Sequence, residues 1–215
     1  MEELELRGIW DAYDKKLEKS FKLNLRMLDE LQTNKAKSKL NALLSIKLLG
    51  VVLGVLWLMF LGFLVYQINL KNIYFSGSVS LIMIITIVAI ISYIGHMVLI
   101  GKIDYTESIT NTQTRLAALQ VSTVKSTGIA WLQLPFYTTF FWNSDMINDH
   151  RIAFWMLAVP VTALFTVLAV WLFKNISPGN LHKKWVQQFM MIGIEYKYVL
   201  SASELLQEIE EFKKG

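Results

Sequence analysis

From residue 48 onward the chain alternates long apolar runs with short polar connections, whereas the preceding segment is densely charged. Four runs stand out: residues 48–66, 79–100, 124–142 and 152–173. A helix needs about 20 mainly apolar residues to cross a hydrocarbon core about 30 Å thick. Only a helix can cross in a single pass, because it satisfies its own backbone hydrogen bonds. The pattern therefore predicts an all-α, polytopic membrane protein with a four-helix transmembrane bundle at 43–175. Helical segments that are expected in the cytoplasm precede it at 1–42 and follow it at 176–215.

The third run is the most polar, with Gln133, Pro135, Tyr137, Thr138 and Thr139, and its extension back to residue 124 takes in Lys125. A span of this kind is expected to pack inside the bundle, with Lys125 reaching the interface. Pro160, near the middle of the fourth run, is expected to kink it.

The flanking segments carry helical stripes. Leu6, Trp10, Tyr13, Leu17, Phe21, Leu25 and Leu28 recur at steps of three or four, with Glu18 and Lys22 on the charged face. Thr33 and Asn34 are read as a break before Lys35, Lys37 and Lys39. Ile109, Leu116 and Leu119 mark a weaker stripe in the middle connection. Trp185, Phe189 and Ile192 mark a short helix after Pro178–Gly179. A capping-box spacing at Ser201 and Glu204 places a second helix start there, with Leu205, Ile209 and Phe212 behind it.

Charge gives this arrangement an orientation. Lysine and arginine are frequent before the first run, between the second and third, and after the fourth. The other two connections, about ten residues each, hold only Lys71 and Arg151. The positive-inside rule then places both termini and the middle connection in the cytoplasm. Tyr66, Tyr74, Trp142 and Trp155 fit the outer boundary, and Trp131, Trp171 and Phe173 the inner one. The first run begins too late in the chain for a cleaved leader. Lys35, Lys37 and Lys39 fix topology, and the same charges suit anionic headgroups.

Composition agrees. Apolar residues make up 54% of the 215 and charged residues 18%, with a mean hydropathy of +0.42; a soluble domain has about 45–50% and about 25%. The net charge of +4 is too small to suggest nucleic-acid binding. The absence of cysteine removes disulfides, thiolate metal sites and cysteine nucleophiles.

Candidate chemistry is sparse. The apolar cores of the runs hold no Asp, Glu, Lys or Arg, and His96 in the second run is read as a neutral packing residue, with Asp104 too far along to serve it. His150 beside Asp145 and Asp149 reads as a solvated turn. Pro135 and Pro160 lack the counterparts in the first two runs that a repeat-built transporter would show. No nucleotide-binding loop, zinc-protease pair or nucleophile elbow is present. No enzymatic activity, cofactor or metal is therefore expected. Gly50, Gly54 and Gly62 allow close helix approach, within the bundle or in a homo-oligomer. The polar interior candidates are His96, Gln133, Tyr137, Thr138 and Thr139. The candidate docking face for a cytoplasmic protein is Trp10, Tyr13, Leu17 and Phe21. The expected partners are the lipid bilayer, a cytoplasmic protein and a second copy, with no nucleic acid. The expected function is a scaffold or regulator, with a small transporter or channel subunit as the alternative.

Several stretches carry a likeness to known sequences: Ile9-Trp10-Asp11, Tyr13 to Glu18, Leu23-Asn24-Leu25, Lys37 to Leu40, Leu99 to Tyr105, and the closing Leu205 to Lys213 around Glu208-Ile209-Glu210-Glu211-Phe212. Together they resemble a family of uncharacterised four-span membrane proteins of Bacteroidetes-type bacteria. The resemblance covers most of the chain and implies a bacterial inner-membrane address, with no particular activity. In layout alone, a charged helix ahead of a span is also similar to membrane-bound anti-sigma factors. The present segment is shorter than their domain and has no zinc-type His/Cys motif.

Overall fold

The computed structural model describes residues 2–68, 72–103 and 109–214, all but a few in helices. Lys71, Asp104 and Tyr105 lie outside the described residues, as do the side chains of Leu6, Ile109 and Phe212. The helices in chain order are α1 (Glu2–Ile68), α2 (Ile73–Gly101), α3 (Ile109–Ala130), α4 (Leu134–Thr139), α5 (Ser144–Asn148), α6 (Arg151–Ala153), α7 (Val159–Asn175), α8 (Lys184–Ile192) and α9 (Ile194–Lys214). Three helical stretches are long and apolar enough to cross a membrane: the one within Arg7–Gln67, Ile73–Gly101 and Arg151–Asn175.

The expected break at Thr33 and Asn34 is absent, because α1 runs unbroken for 67 residues. At 1.5 Å per residue that is about 100 Å of helix. Thr and Asn each cost only about 0.6 kcal/mol relative to Ala in a helix interior. Here the loss is offset next door, where Ala36, Leu40 and Leu43 are fully buried against α9 and α3. Lys22 to Glu18 at 2.6 Å and Arg26 to Glu30 at 3.2 Å support the exposed turns.

α2 begins at a defined cap. The Asn72 side chain accepts from the backbone N–H groups of Tyr74 and Phe75, and its amide donates to the Trp142 carbonyl at 2.7 Å. One residue thus caps α2 and ties it to the end of the third run.

The third run is the distal half of a helix that starts in the middle connection. α3 enters a 3-10 turn at Trp131–Gln133 and then α4. Pro135 lacks an N–H and cannot continue the α-helical ladder back to Trp131, so the chain tightens there. The fourth run carries an irregular turn just before its proline. Pro160 sits at the start of α7, directly after a π turn at Phe154–Ala158. The widened turn moves the preceding carbonyls away from the proline ring, and the helical stretch Arg151–Asn175 is continuous through it.

Two tail expectations are corrected as well. α9 begins at Ile194 rather than at Ser201, so the capping-box residues lie inside a helix. In α8 the buried residues are Val186 and Met190, with Phe189 beside them, while Ile192 faces outward at 81% exposure.

The main packing is between neighbours: α1 on α2, α2 on α3 and α4, and those on α7. The apolar helices therefore form a row with most of its apolar surface outward. At one end, α9 runs antiparallel along α1, and Val199, Ala202, Leu206 and Ile209 meet Leu40, Leu43, Leu116 and Leu119 in a compact helical body. α1 projects beyond this body as an arm, on which residues 7–24 are all exposed.

Candidate functional site

Where the helical body meets the apolar row, the structure buries a cluster of polar groups. Lys47, the last charge before the first run, has a side chain at 0% exposure. Its ammonium lies 2.5 Å from the Glu195 carboxylate at the start of α9, and 3.9 Å from the centroid of the Tyr93 ring on α2. An ammonium is tolerated at such a place only when it is paired, and a carboxylate and an aromatic face together provide that pairing. Gly50 makes the arrangement possible. A Cβ there would sit 2.6 Å from Tyr93 Cε2, so only glycine leaves room for the ring. Gly54 accommodates Ile90 in the same way at 3.0 Å, while Gly62 has nothing within 4 Å.

One turn along α2 from Tyr93, His96 is fully buried and its Nε2 is 2.8 Å from Ser122 Oγ on α3. A histidine beside a serine hydroxyl is the core of a nucleophile–base pair. Such a pair also needs a group to orient the other ring nitrogen and access for substrate. Among the described residues His96 Nδ1 has no hydrogen-bond partner, and the ring is buried. The contact joins α2 to α3.

A cavity of about 380 Å³ opens beside the cluster, lined by Thr123, Thr127, Trp131, Phe189, Glu195 and Tyr196 among others. Its walls are largely apolar and aromatic. The Thr123 hydroxyl on its wall is buried without a partner among the described residues. Burial pushes the Tyr196 phenol above its ordinary pKa.

The polar residues of the third run lie elsewhere. Thr139 bonds Ser78 of α2 at 2.7 Å and Thr138 bonds Thr162 of α7 at 2.9 Å. Tyr137, expected inside, is 40% exposed and donates to Gln133. The structure does not gather His96, Gln133, Tyr137, Thr138 and Thr139 into one site. The first belongs to the junction with the helical body, and the others line the far half of α3–α4.

The docking candidates lie together on the arm. Trp10, Tyr13 and Leu17 are 64%, 67% and 73% exposed, and Phe21 follows on the same stripe at 51%. Trp10 stands about 55 Å from Lys47 along the helix axis. Among the described residues, no group of three or more His, Asp or Glu side chains converges to hold a metal, so Asp145, Asp149 and His150 form no such set.

The residues missed in the sequence are Lys47, Tyr93, Ser122 and Glu195. Glu195 carried a signal, being the one carboxylate in the otherwise apolar stretch 189–196. No family model, curated protein or solved structure matches the chain.

Proposed function

We propose that the chain is a non-enzymatic bacterial inner-membrane protein that crosses four times and holds a rigid helical arm in the cytoplasm for a protein partner. The carrying observation is the row of exposed Trp10, Tyr13 and Leu17 on an unbroken helix. An apolar stripe left exposed along residues 7–24 adds little to the stability of that part of the helix unless another surface covers it. Because the arm continues the first span, a bilayer entered near Lys47 is too far away to do so.

Two contacts support the third crossing. Ser122 meets His96, and Thr139 meets Ser78. Between those positions α2 rises about 27 Å, nearly the hydrocarbon thickness. The third segment thus runs beside α2 over that height, its hydroxyls bonded to α2 and α7. The asymmetry of lysine and arginine supports cytoplasmic termini, and the resemblance to a bacterial four-span family supports the inner-membrane address. Docking of a regulator, in the manner of anti-sigma signalling, fits this layout. The transporter alternative draws less support, since Ser78, Thr138, Thr139 and Thr162 bond to one another rather than line a polar path.

Affinity purification in mild detergent after crosslinking in cells tests the proposal. Wild type should recover a stoichiometric cytoplasmic protein, and the Trp10→Asp/Leu17→Asp variant should not. Equal recovery from both would refute docking on this face.

A further inference from the structure

We propose that the groove between α3 and the end of α7 binds the phosphate of an anionic phospholipid, with Lys125 and Lys174 as its cations. The groove encloses about 390 Å³, and its lining includes these two lysines together with Ile129, Phe173, Ile176 and Ser177. Both lysines are exposed, and neither joins an ion pair among the described residues. Two unpaired ammonium groups above an apolar floor match a ligand with an anionic head and a hydrocarbon body. A soluble anion has no use for the floor, and a neutral lipid has none for the paired charge.

The position is fixed by backbone contact. A Cβ on Gly128 would lie 2.8 Å from the Ile176 carbonyl oxygen, so α3 and the end of α7 touch there without an intervening side chain. Lys125 stands about one turn before Gly128, and Lys174 two residues before Ile176. The lysine stems therefore flank one seam at the end of the apolar rod Arg151–Asn175, the level at which headgroups lie. Basic pockets between membrane helices are suited to anionic headgroups, at about 1 kcal/mol per lysine near the surface. This site rests on the four-crossing topology proposed above and is independent of partner docking.

The test is native mass spectrometry of the full chain after delipidation in mild detergent, with phosphatidylglycerol and phosphatidylcholine added in equal amounts. Wild type should retain phosphatidylglycerol about thirtyfold over phosphatidylcholine, which is the two lysines' contribution converted at about 1.4 kcal/mol per tenfold. Lys125→Gln/Lys174→Gln should bring that ratio close to parity, and Lys125→Arg/Lys174→Arg should keep it. Lys15→Gln/Lys16→Gln, with the same charge change on the arm, should leave it unaltered. An unchanged ratio in the glutamine variant at positions 125 and 174, or an equal loss in the arm variant, would overturn the site. Displacement of the lipid by millimolar inorganic phosphate would reassign it to a soluble anion and overturn the lipid assignment. Cysteine accessibility reads the topology separately, so failure of the lipid test and failure of the topology are distinguishable.

Discussion

The Lys47 ammonium donates to the Glu195 carboxylate at 2.5 Å across 148 residues of sequence, joining the entry of the first apolar run to the start of the last helix. Removing one member of a buried ion pair leaves the other charge uncompensated, at a cost of about 3–5 kcal/mol. Glu195 is 24% exposed, so water offsets part of that loss. Lys47→Ala should therefore destabilise by about 3 kcal/mol, read as a lower melting temperature in detergent. Lys47→Met/Glu195→Leu should recover most of that loss, because an apolar pair of similar volume leaves no charge buried. A double variant no more stable than Lys47→Ala would contradict this account of the pair.

The glycines of the first run should separate by their surroundings. Gly50→Ala forces the Tyr93 ring off Lys47 and should cost about 1–3 kcal/mol as overpacking. Gly62→Ala meets nothing and should be neutral, or stabilise by up to about 1 kcal/mol through helix propensity. Equal effects in thermal unfolding would show that Gly50 does not hold the ring's place.

The arm should tolerate changes that would wreck a core. Trp10→Asp and Leu17→Asp alter exposed positions, and each should shift stability by no more than about 0.5 kcal/mol. Circular dichroism should keep its helical signal and the melting temperature should hold. A large drop would mean that the stripe is already covered within the molecule.

The sequence displays what depends on local periodicity. Apolar runs and the stripe through Trp10 and Leu17 are readable because one helix face is one repeating pattern. Relationships between distant segments are hidden. Lys47 reads as one more cytoplasmic lysine until α9 brings Glu195 to it, and His96 has no visible partner until α3 supplies Ser122. Thr33 and Asn34 show why weak local signals mislead: their preference against helix is small compared with the burial of Ala36, Leu40 and Leu43 beside them. The third run illustrates the opposite limit. Its hydroxyls lower its apolar character, yet Ser78 and Thr162 satisfy two of them, and that pairing is a property of the neighbours.

The most direct test of the proposed four crossings is cysteine accessibility, which the cysteine-free chain makes clean. Ala12→Cys, Asn148→Cys and Ser203→Cys variants would be treated in intact cells with an impermeant maleimide. Labelling of Asn148→Cys alone is expected, with the other two reacting only after the membrane is opened. Labelling of Ser203→Cys in intact cells while Ala12→Cys stays protected would mean an odd number of crossings, and would contradict a cytoplasm shared by the arm and the tail.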